Sequence, residues 1–114
     1  MTKIRLAVGI LSARRYADRR ARCRRLWAHE LAGLADVSFR FFVGDGGDGA
    51  PFSADAEPDA VVLECPDDYD HLPRKTKCMI DWFLARYEFE YLFKCDDDTS
   101  VRVDRLVAYV PPHD

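Results

Sequence analysis

The residues of this sequence that are best suited to chemistry are three consecutive aspartates, Asp96, Asp97 and Asp98, which follow a largely apolar run at positions 91–95. Adjacent carboxylates repel one another, so a folded protein that gathers them at the end of a strand usually offsets their charge with a cation. Carboxylate oxygens favour the hard ions Mg²⁺, Mn²⁺ and Ca²⁺ over zinc, and such an ion at a sheet edge commonly binds a phosphate. The alternative is a solvated acidic turn, because aspartate is frequent in turns.

Other common metal and redox sites are excluded by residue spacing. An EF-hand loop starting at Asp96 would need glycine at its sixth position and glutamate at its twelfth, where this chain has Val101 and Val107. The cysteines show no Cys-x-x-Cys pattern, so neither a zinc ribbon nor a thioredoxin-type site is indicated. We expect buried or half-buried thiols at Cys23, Cys65, Cys78 and Cys95.

Length and composition indicate one globular domain. The chain has 114 residues, of which 48% are hydrophobic and 32% are charged, which is enough for a modest core. No apolar run approaches the roughly 20 residues of a membrane span, and the N-terminal sequence lacks a signal-peptide pattern. The chain as given is therefore expected to be cytoplasmic, with no membrane segment.

The net charge of −3 conceals a strong asymmetry along the chain. Arginines are concentrated between Arg14 and Arg25, whereas positions 41–73 contain acidic residues and no lysine or arginine. This pattern argues against nucleic-acid binding, because the arginines lie on one short stretch without interleaved aromatic residues. A compact anion such as a nucleotide diphosphate fits the basic segment better. The alternative for at least half of these arginines is a solvated helix face, since arginine is a good helix former.

Hydrophobic periodicity predicts the elements that must position these residues. Strands are expected at 4–11, 37–43, 60–65 and 91–95, and helices at about 16–33 and 73–87, with a short final helix capped by Asp104. Trp27 and Trp82 fall on apolar helix faces and are expected in the core. Because strands and helices alternate, the predicted fold class is α/β with a largely parallel sheet. The carboxyl ends of the first and fourth strands, with the residues that follow them at 11–14 and 95–98, should then meet at one sheet edge.

The glycine-rich segment at 44–49 matches the Gly-x-Gly-x-x-Gly pattern of dinucleotide-binding proteins, but its context excludes that function. The pattern requires a helix directly after it, whose N-terminus binds the pyrophosphate. Here it is followed by an acidic, proline-containing stretch that is typical of a loop. Residues 45–59 are therefore interpreted as a flexible surface loop.

Several segments follow one another in the order found in a known enzyme family. They are Arg-Arg-x-x-x-Arg-x-x-Trp at 19–27, Phe-Phe-Val-Gly at 41–44, Asp-Asp-Tyr-Asp-His-Leu-Pro-Arg-Lys-Thr at 67–76, Trp82, and Lys-x-Asp-Asp-Asp at 94–98. In these segments the chain resembles the β1,3-galactosyltransferase family of glycosyltransferases, which includes fringe-like and core 1 enzymes. Residues 4–106 are covered by the resemblance.

The resemblance implies a glycosyltransferase A-type, Rossmann-like fold, with residues 1–114 forming the nucleotide-sugar-binding half of the domain. It also implies a Mn²⁺ or Mg²⁺ ion that is held by Asp98 together with Asp96 and bridged to the diphosphate of a UDP-sugar. Asp96 and Asp97 are both assigned to nucleotide-sugar binding, and Asp97 is expected to reach sugar or ribose hydroxyls.

Three further residues are assigned to the nucleotide sugar on the same resemblance. Arg19 is the arginine chosen for the nucleotide, whereas Arg24 is equally suited to an ion pair in the core. Lys75 is expected to approach the nucleotide or sugar from the first turns of its helix. Asp67 is expected to face the uridine.

The implied activity is transfer of a sugar, with galactose and N-acetylglucosamine as the leading candidates, from a UDP-sugar to a glycan or glycoconjugate acceptor with inversion. The family's catalytic base lies in an acceptor-binding half that nothing in this chain matches, so the base is expected beyond the C-terminus. Two alternatives stay open: a non-catalytic nucleotide-sugar-binding fragment, and an acidic α/β interaction domain without a ligand. For a longer eukaryotic parent protein, the resemblance implies the Golgi membrane.

Overall fold

The chain folds around one parallel β-sheet. The computed structural model describes residues 1–46 and 52–110. The strands are β1 (Thr2–Leu11), β2 (Val37–Gly46), β3 (Ala60–Pro66) and β4 (Tyr87–Asp96). They lie in the order β3-β2-β1-β4, and every neighbouring pair is parallel. This arrangement confirms the predicted α/β class and is consistent with a Rossmann-like glycosyltransferase fold.

Helical segments lie between the strands and after β4. They are α1 (Ala17–Cys23), which continues through a π-helical turn (Arg24–Ala28) into α2 (His29–Ala32), then α3 (Leu72–Arg86) and α4 (Val103–Tyr109). In the π-helical turn, His29 N donates a hydrogen bond to Arg24 O, five residues back, so the turn is wider than in an α-helix. The helix predicted at about 16–33 is therefore confirmed as one continuous helical path.

Two apolar clusters, one on each face of the sheet, form the core. The first contains Leu6, Val8, Ile10, Trp27, Leu31, Phe41 and Val103. The second contains Ala7, Leu11, Phe42, Leu63, Met79 and Phe83. β1 contributes to both clusters because successive side chains of a strand point to opposite faces. Burial on both faces explains why β1 is an almost continuous apolar run.

α3 approaches β1 closely at Gly9. An added Cβ at this glycine would lie 2.9 Å from Met79 Cε and closer still to Met79 Sδ. A side chain at this position would therefore require the buried Met79 side chain to shift. The close approach brings the first turns of α3 to the carboxyl end of β1, where Lys75 Nζ donates to Ser12 O.

The strand order creates a topological switch point between β1 and β4. The chain leaves β1 toward β2 and β3, then returns to place β4 on the other side of β1. Connections that leave neighbouring strands in opposite directions open a crevice at the carboxyl ends of those strands, which is where open α/β sheets bind ligands. Leu11 and Asp96 are the final paired residues of β1 and β4. The predicted meeting of these two strand ends is confirmed.

β4 begins at Tyr87, earlier than the predicted start at Tyr91. The helix before it ends at Arg86, and Tyr87 is already in extended conformation with φ −133° and ψ 149°. Glu88 and Glu90 are exposed while their neighbours are half-buried, which is the alternation of an edge strand. The same alternation is present in the sequence. The predicted strand starts too late because the helical pattern of the preceding segment continues to about residue 87.

One local prediction is wrong. Asp104 does not cap α4, because Arg102 occupies the N-cap position and Asp104 lies in the first turn, paired with Arg102. The surface loop predicted at 45–59 is confirmed over residues 52–59, which form turns and irregular structure. Asp45 belongs to β2, and Glu57 and Asp59 form ion pairs with buried or half-buried arginines. Residues 47–51 lie outside the described part of the chain.

The cysteines pack as predicted. Cys23, Cys65 and Cys95 are buried, Cys78 is half-buried, and all are free thiols. Burial raises the pKa of Cys95 to about 12, so this thiol stays protonated and packs as an apolar group.

Trp27 is buried as expected, whereas Trp82 is half-buried. Within residues 1–46 and 52–110, the helices are too short or too polar to cross a bilayer.

Candidate functional site

The residues that the sequence singles out meet at an open cleft beside the carboxyl ends of β1 and β4. The cleft has a volume of about 350 Å³, which is within the range of small-molecule sites. It is lined by Leu11, Ser12, Ala13, Arg15, Tyr16, Arg19, Tyr69, Leu72, Asp96, Asp97 and Asp98. The strand ends and the turns that follow them therefore supply most of its wall.

The aspartate triplet forms one wall of the cleft, and its members differ in exposure. Asp96 and Asp98 are exposed, and both line the cleft. Among the described residues, neither carboxylate accepts a hydrogen bond or pairs with a cation. Asp97, between them, is buried at 7% exposure. The predicted accumulation of uncompensated negative charge is therefore confined to Asp96 and Asp98.

Asp97 is bonded to the protein through both carboxylate oxygens. Ser12 Oγ donates to Asp97 Oδ2 at 2.8 Å. Arg19 Nη1 lies 3.4 Å from Asp97 Oδ1 and supplies the opposite charge. The Asp97 backbone is also held, because its N–H donates to Leu11 O at 3.0 Å and its carbonyl accepts from Cys23 Sγ at 3.1 Å. These contacts occupy the oxygens that the sequence analysis assigned to sugar or ribose hydroxyls, and that role stays a prediction.

A basic and aromatic cluster around Tyr16 forms the facing wall. The Arg19 guanidinium lies 3.8 Å from the centroid of the Tyr16 ring, and the Arg15 guanidinium lies 4.7 Å from it. Both arginines are exposed and line the cleft with Tyr16. Stacking on an aromatic face orients a guanidinium. Arg19, chosen from the sequence, lies beside the cleft, and its contact with a nucleotide stays a prediction.

Two other arginines of the same helix are used inside the protein. Arg20 is fully buried and donates to both oxygens of Glu57, at 2.7 and 2.9 Å. Arg24 donates to both oxygens of Asp59, at 2.9 and 2.7 Å, and also to Glu57. The hydrogen bonds from Arg20, and then those from Arg24, hold the pKa of Glu57 below its ordinary value. The core ion pair that the sequence allowed for Arg24 is present.

Lys75 and Asp67 face each other in the interior. Lys75 Nζ lies 2.7 Å from Asp67 Oδ1, and the side chains are 3% and 1% exposed. Asp67 also accepts hydrogen bonds from Gly44 N and from Arg14 N. Neither Lys75 nor Asp67 is among the described residues that line the cleft. The pair joins the ends of three strands to α3, and its predicted contact with the uridine or sugar is not tested by this geometry.

The aspartate wall fits a hard divalent ion that is shared with a ligand. Within residues 1–46 and 52–110, no three His, Cys, Asp or Glu side chains are gathered into a complete metal cage. Mg²⁺ and Mn²⁺ do not require one, because they are commonly held by one or two carboxylates together with phosphate oxygens and water. Asp96 and Asp98 provide two exposed carboxylates beside a cleft. The donor set therefore suits a metal that binds with a phosphorylated ligand.

The sequence analysis assigns no role to three residues that line the cleft, Ser12, Tyr16 and Tyr69. Ser12 belongs to the strand end at 11–14 that is expected at the sheet edge, and a polar residue directly after a buried strand is the signal that could have singled it out. Tyr69 is 84% exposed. For Tyr16 and Tyr69, the available signal is an aromatic residue within a basic or an acidic segment.

Comparisons with known proteins identify the family of this chain. The family model described as galactosyltransferase matches residues 18–113. The chain is 34% identical over 112 residues to beta-1,3-galactosyltransferase 6 of Mus musculus, with 90% of this chain and 34% of that protein covered. It is 31% identical over 115 residues to hydroxyproline O-galactosyltransferase GALT2 of Arabidopsis thaliana, with 96% of this chain and 17% of that protein covered. The chain thus spans about a third or less of the length of these relatives, and it belongs to the galactosyltransferase family.

Proposed function

We propose that the chain binds the nucleotide-sugar donor of a galactosyltransferase-type enzyme, and that this donor is a UDP-sugar bound with Mn²⁺ or Mg²⁺. One observation carries the proposal. Asp96 and Asp98 present free carboxylates on one wall of the cleft, while Arg15 and Arg19 present guanidinium groups beside it. A diphosphate is the ligand class that uses both, because it binds arginine directly and carboxylates through a divalent ion.

Each wall has a separate role in this proposal. Arg19 donates to the diphosphate from a position fixed by the Tyr16 ring and by Asp97. Asp96 and Asp98 would hold the divalent ion, whose charge would offset that of the departing nucleotide diphosphate. Tyr69, at the mouth of the cleft, offers an exposed aromatic face to the nucleoside or the sugar.

The proposed reaction of the whole enzyme is transfer of galactose or N-acetylglucosamine to a glycan or glycoconjugate acceptor, with inversion. Such a reaction needs a carboxylate that takes the proton of the acceptor hydroxyl. Asp67 and Asp68 are poorly suited to this role, because Asp67 is paired with Lys75 and Asp68 with His71. We therefore assign donor binding to residues 1–114, and place the base and the acceptor surface in the remaining length that the relatives have.

Isothermal calorimetry of UDP binding tests the donor site. We expect binding in Mn²⁺ and in Mg²⁺, and a loss of most of that affinity when a chelator removes the ion. Asp98→Asn should lower affinity only when the metal is present. Glu88→Gln is the matched control, because it removes one exposed carboxylate from the opposite end of β4. Equal UDP affinity with and without the chelator would exclude the metal-assisted site.

A second candidate function is nucleotide-sugar binding without catalysis. It is favoured by the pairing of Asp67 and Asp68 with their own partners, which leaves no assigned base. Release of UDP from a UDP-sugar in the presence of galactose- or N-acetylgalactosamine-terminated acceptors distinguishes the two functions. We expect UDP binding by this chain and no acceptor-dependent release. Robust acceptor-dependent release would show that a base lies within these residues, with Asp70 the first to substitute.

A further inference from the structure

A chain of buried polar contacts leads from the segment before β3 to the aspartate triplet. Glu57 accepts two hydrogen bonds from the Arg20 guanidinium. Arg20 Nη1 donates to Ser12 Oγ at 3.1 Å. Ser12 Oγ donates to Asp97 Oδ2 at 2.8 Å. We call Glu57, Arg20, Ser12 and Asp97 the buried polar chain.

The direction of every hydrogen bond in the buried polar chain is fixed by chemistry. A guanidinium can only donate and an ionised carboxylate can only accept, whereas a hydroxyl does both. The Ser12 hydroxyl must therefore accept from Arg20 and point its single proton at Asp97. Arg20 in turn is placed by Glu57, which lies 37 residues further along the chain and does not line the cleft.

Fixing Asp97 also fixes the directions of its two neighbours. The Asp97 carboxylate is turned inward at the end of β4, and its N–H is bonded to Leu11 O. Thr99 N donates to Asp96 O at 3.1 Å, which closes a turn around the triplet. With the middle residue held inward, Asp96 and Asp98 are directed to the cleft. Without the Ser12 contact, Asp97 would be a buried acceptor with one oxygen unsatisfied.

We infer that Glu57 and Arg20 are positioning residues for the metal-binding carboxylates: through Ser12 they hold Asp97 inward and keep Asp96 and Asp98 directed at the cleft. Cation-dependent binding of a nucleoside diphosphate should therefore depend on Glu57, which is remote from the ligand. The effect on binding rests on the proposed function. The ordering of the 96–99 turn does not, and can be measured without any ligand.

Hydrogen–deuterium exchange of the wild type and of Ser12→Ala and Glu57→Gln measures that ordering. Both variants should exchange the Asp97 and Thr99 amides about tenfold faster, because each removes or weakens one hydrogen bond that opposes local opening. Asp59→Asn is the control, since Asp59 belongs to the same group of ion pairs but contacts Arg24 and not Arg20. It should leave exchange at 96–99 unchanged.

Calorimetry of UDP binding to the same proteins measures the effect on the site. Ser12→Ala and Glu57→Gln should reduce UDP affinity in Mn²⁺ by about tenfold and leave the weaker affinity in chelator unchanged, whereas Asp59→Asn should alter neither. A merely structural role would lower both affinities together through a smaller folded fraction.

The exchange result decides the inference. Unchanged exchange in Ser12→Ala and Glu57→Gln, or equal acceleration in Asp59→Asn, would overturn it. If Glu57→Gln does not fold, Ser12→Ala, which removes a single hydroxyl, decides by the same two measurements. If the wild type binds UDP without any cation dependence, the proposed function fails, while faster exchange in the two variants would still support the positioning of the turn.

Discussion

Carboxylates lie on either side of Ser12 at the same edge of the sheet, and the two sides differ in how many protein partners these carboxylates have. The closed side consists of Asp67, Lys75 and Gly44, where one carboxylate is saturated by a buried lysine and by backbone N–H groups. The open side is the triplet at 96–98, where only the middle carboxylate is bonded to the protein. Asp67 and Asp97 thus have partners within the protein, whereas Asp96 and Asp98, which are proposed to hold the metal, have none among the described residues.

The contrast distinguishes acidic residues that stabilise the fold from acidic residues that are available to a ligand. A buried carboxylate must be paired, because an isolated buried charge is costly. An exposed carboxylate needs no partner from the protein, and two of them beside a cleft leave their charge available to a cation. The closed side therefore predicts large effects of substitution on stability, and the open side predicts effects on binding.

The largest effect is expected on the closed side. Asp67→Ala leaves Lys75 Nζ buried without its counter-charge, and should lower the free energy of unfolding by about 3 to 5 kcal/mol. Asp98→Ala, on the open side, should change it by no more than about 0.5 kcal/mol. Urea denaturation followed by circular dichroism measures both. Equal losses from the two substitutions would remove the distinction between the two sides.

A steric test of the closed side comes next. An added Cβ at Gly44 would lie 2.7 Å from Asp67 Oδ1 and closer still to the Cys65 carbonyl oxygen. Gly44→Ala should therefore cost about 3 kcal/mol of stability. At Gly33 the nearest atom to an added Cβ is Glu30 O at 3.8 Å, so Gly33→Ala should be neutral or stabilise by up to about 1 kcal/mol. A tolerated alanine at Gly44 would show that the closed side is loosely packed.

A binding test of the cleft has a smaller expected effect. Arg19→Ala should weaken UDP binding by about 1.5 kcal/mol, the lower end for a charged hydrogen bond, because the guanidinium is partly exposed to solvent. Arg25→Ala should leave UDP affinity unchanged, since Arg25 is exposed and does not line the cleft. Calorimetry at matched ionic strength separates them. Equal losses would mean that the arginines act as a diffuse positive field.

Acid should weaken the ion pair between Glu57 and Arg20, which lies behind the open side. The pKa of Glu57 is lowered in the folded state, first by the hydrogen bonds from Arg20 and then by those from Arg24. A lowered carboxyl pKa stabilises the fold above the unfolded pKa, near 4.5, and this stabilisation is lost as the pH falls through the folded value. Thermal melting between pH 7 and pH 3 should show a decline below about 4.5 that is smaller in Glu57→Gln. An identical decline in both proteins would assign the acid sensitivity to other groups.

The strand and helix order could be predicted from the sequence, because apolar periodicity is set by burial. β1 is a clear case, as a run with core contacts on both faces. The aspartate triplet could also be located, since a strand pattern leads directly to it. Which member of the triplet is buried could not be predicted, because three identical residues differ only in the direction that the turn gives them.

The sequence also does not show which arginines are buried and which line the cleft. Arg19 and Arg20 are adjacent and chemically identical, yet one lies beside the cleft and the other is fully buried. Only the rotation of α1 against the sheet separates them, and that rotation depends on packing between distant segments. Glu57 and Asp59, the acidic partners, come from a stretch whose composition is typical of a flexible loop. Long-range ion pairs of this kind leave no local pattern.

The strand order also has a consequence for how the molecule is made. Among the described strands, β1 comes first along the chain and β4 last, and Ser12 and Asp97 are 85 residues apart. Pairing across so long a separation costs loop entropy before it yields any contact, and such steps are slow in folding. During synthesis, the edge of β1 that pairs with β4 therefore stays unpaired until β4 has emerged, so the two walls of the cleft cannot meet before then.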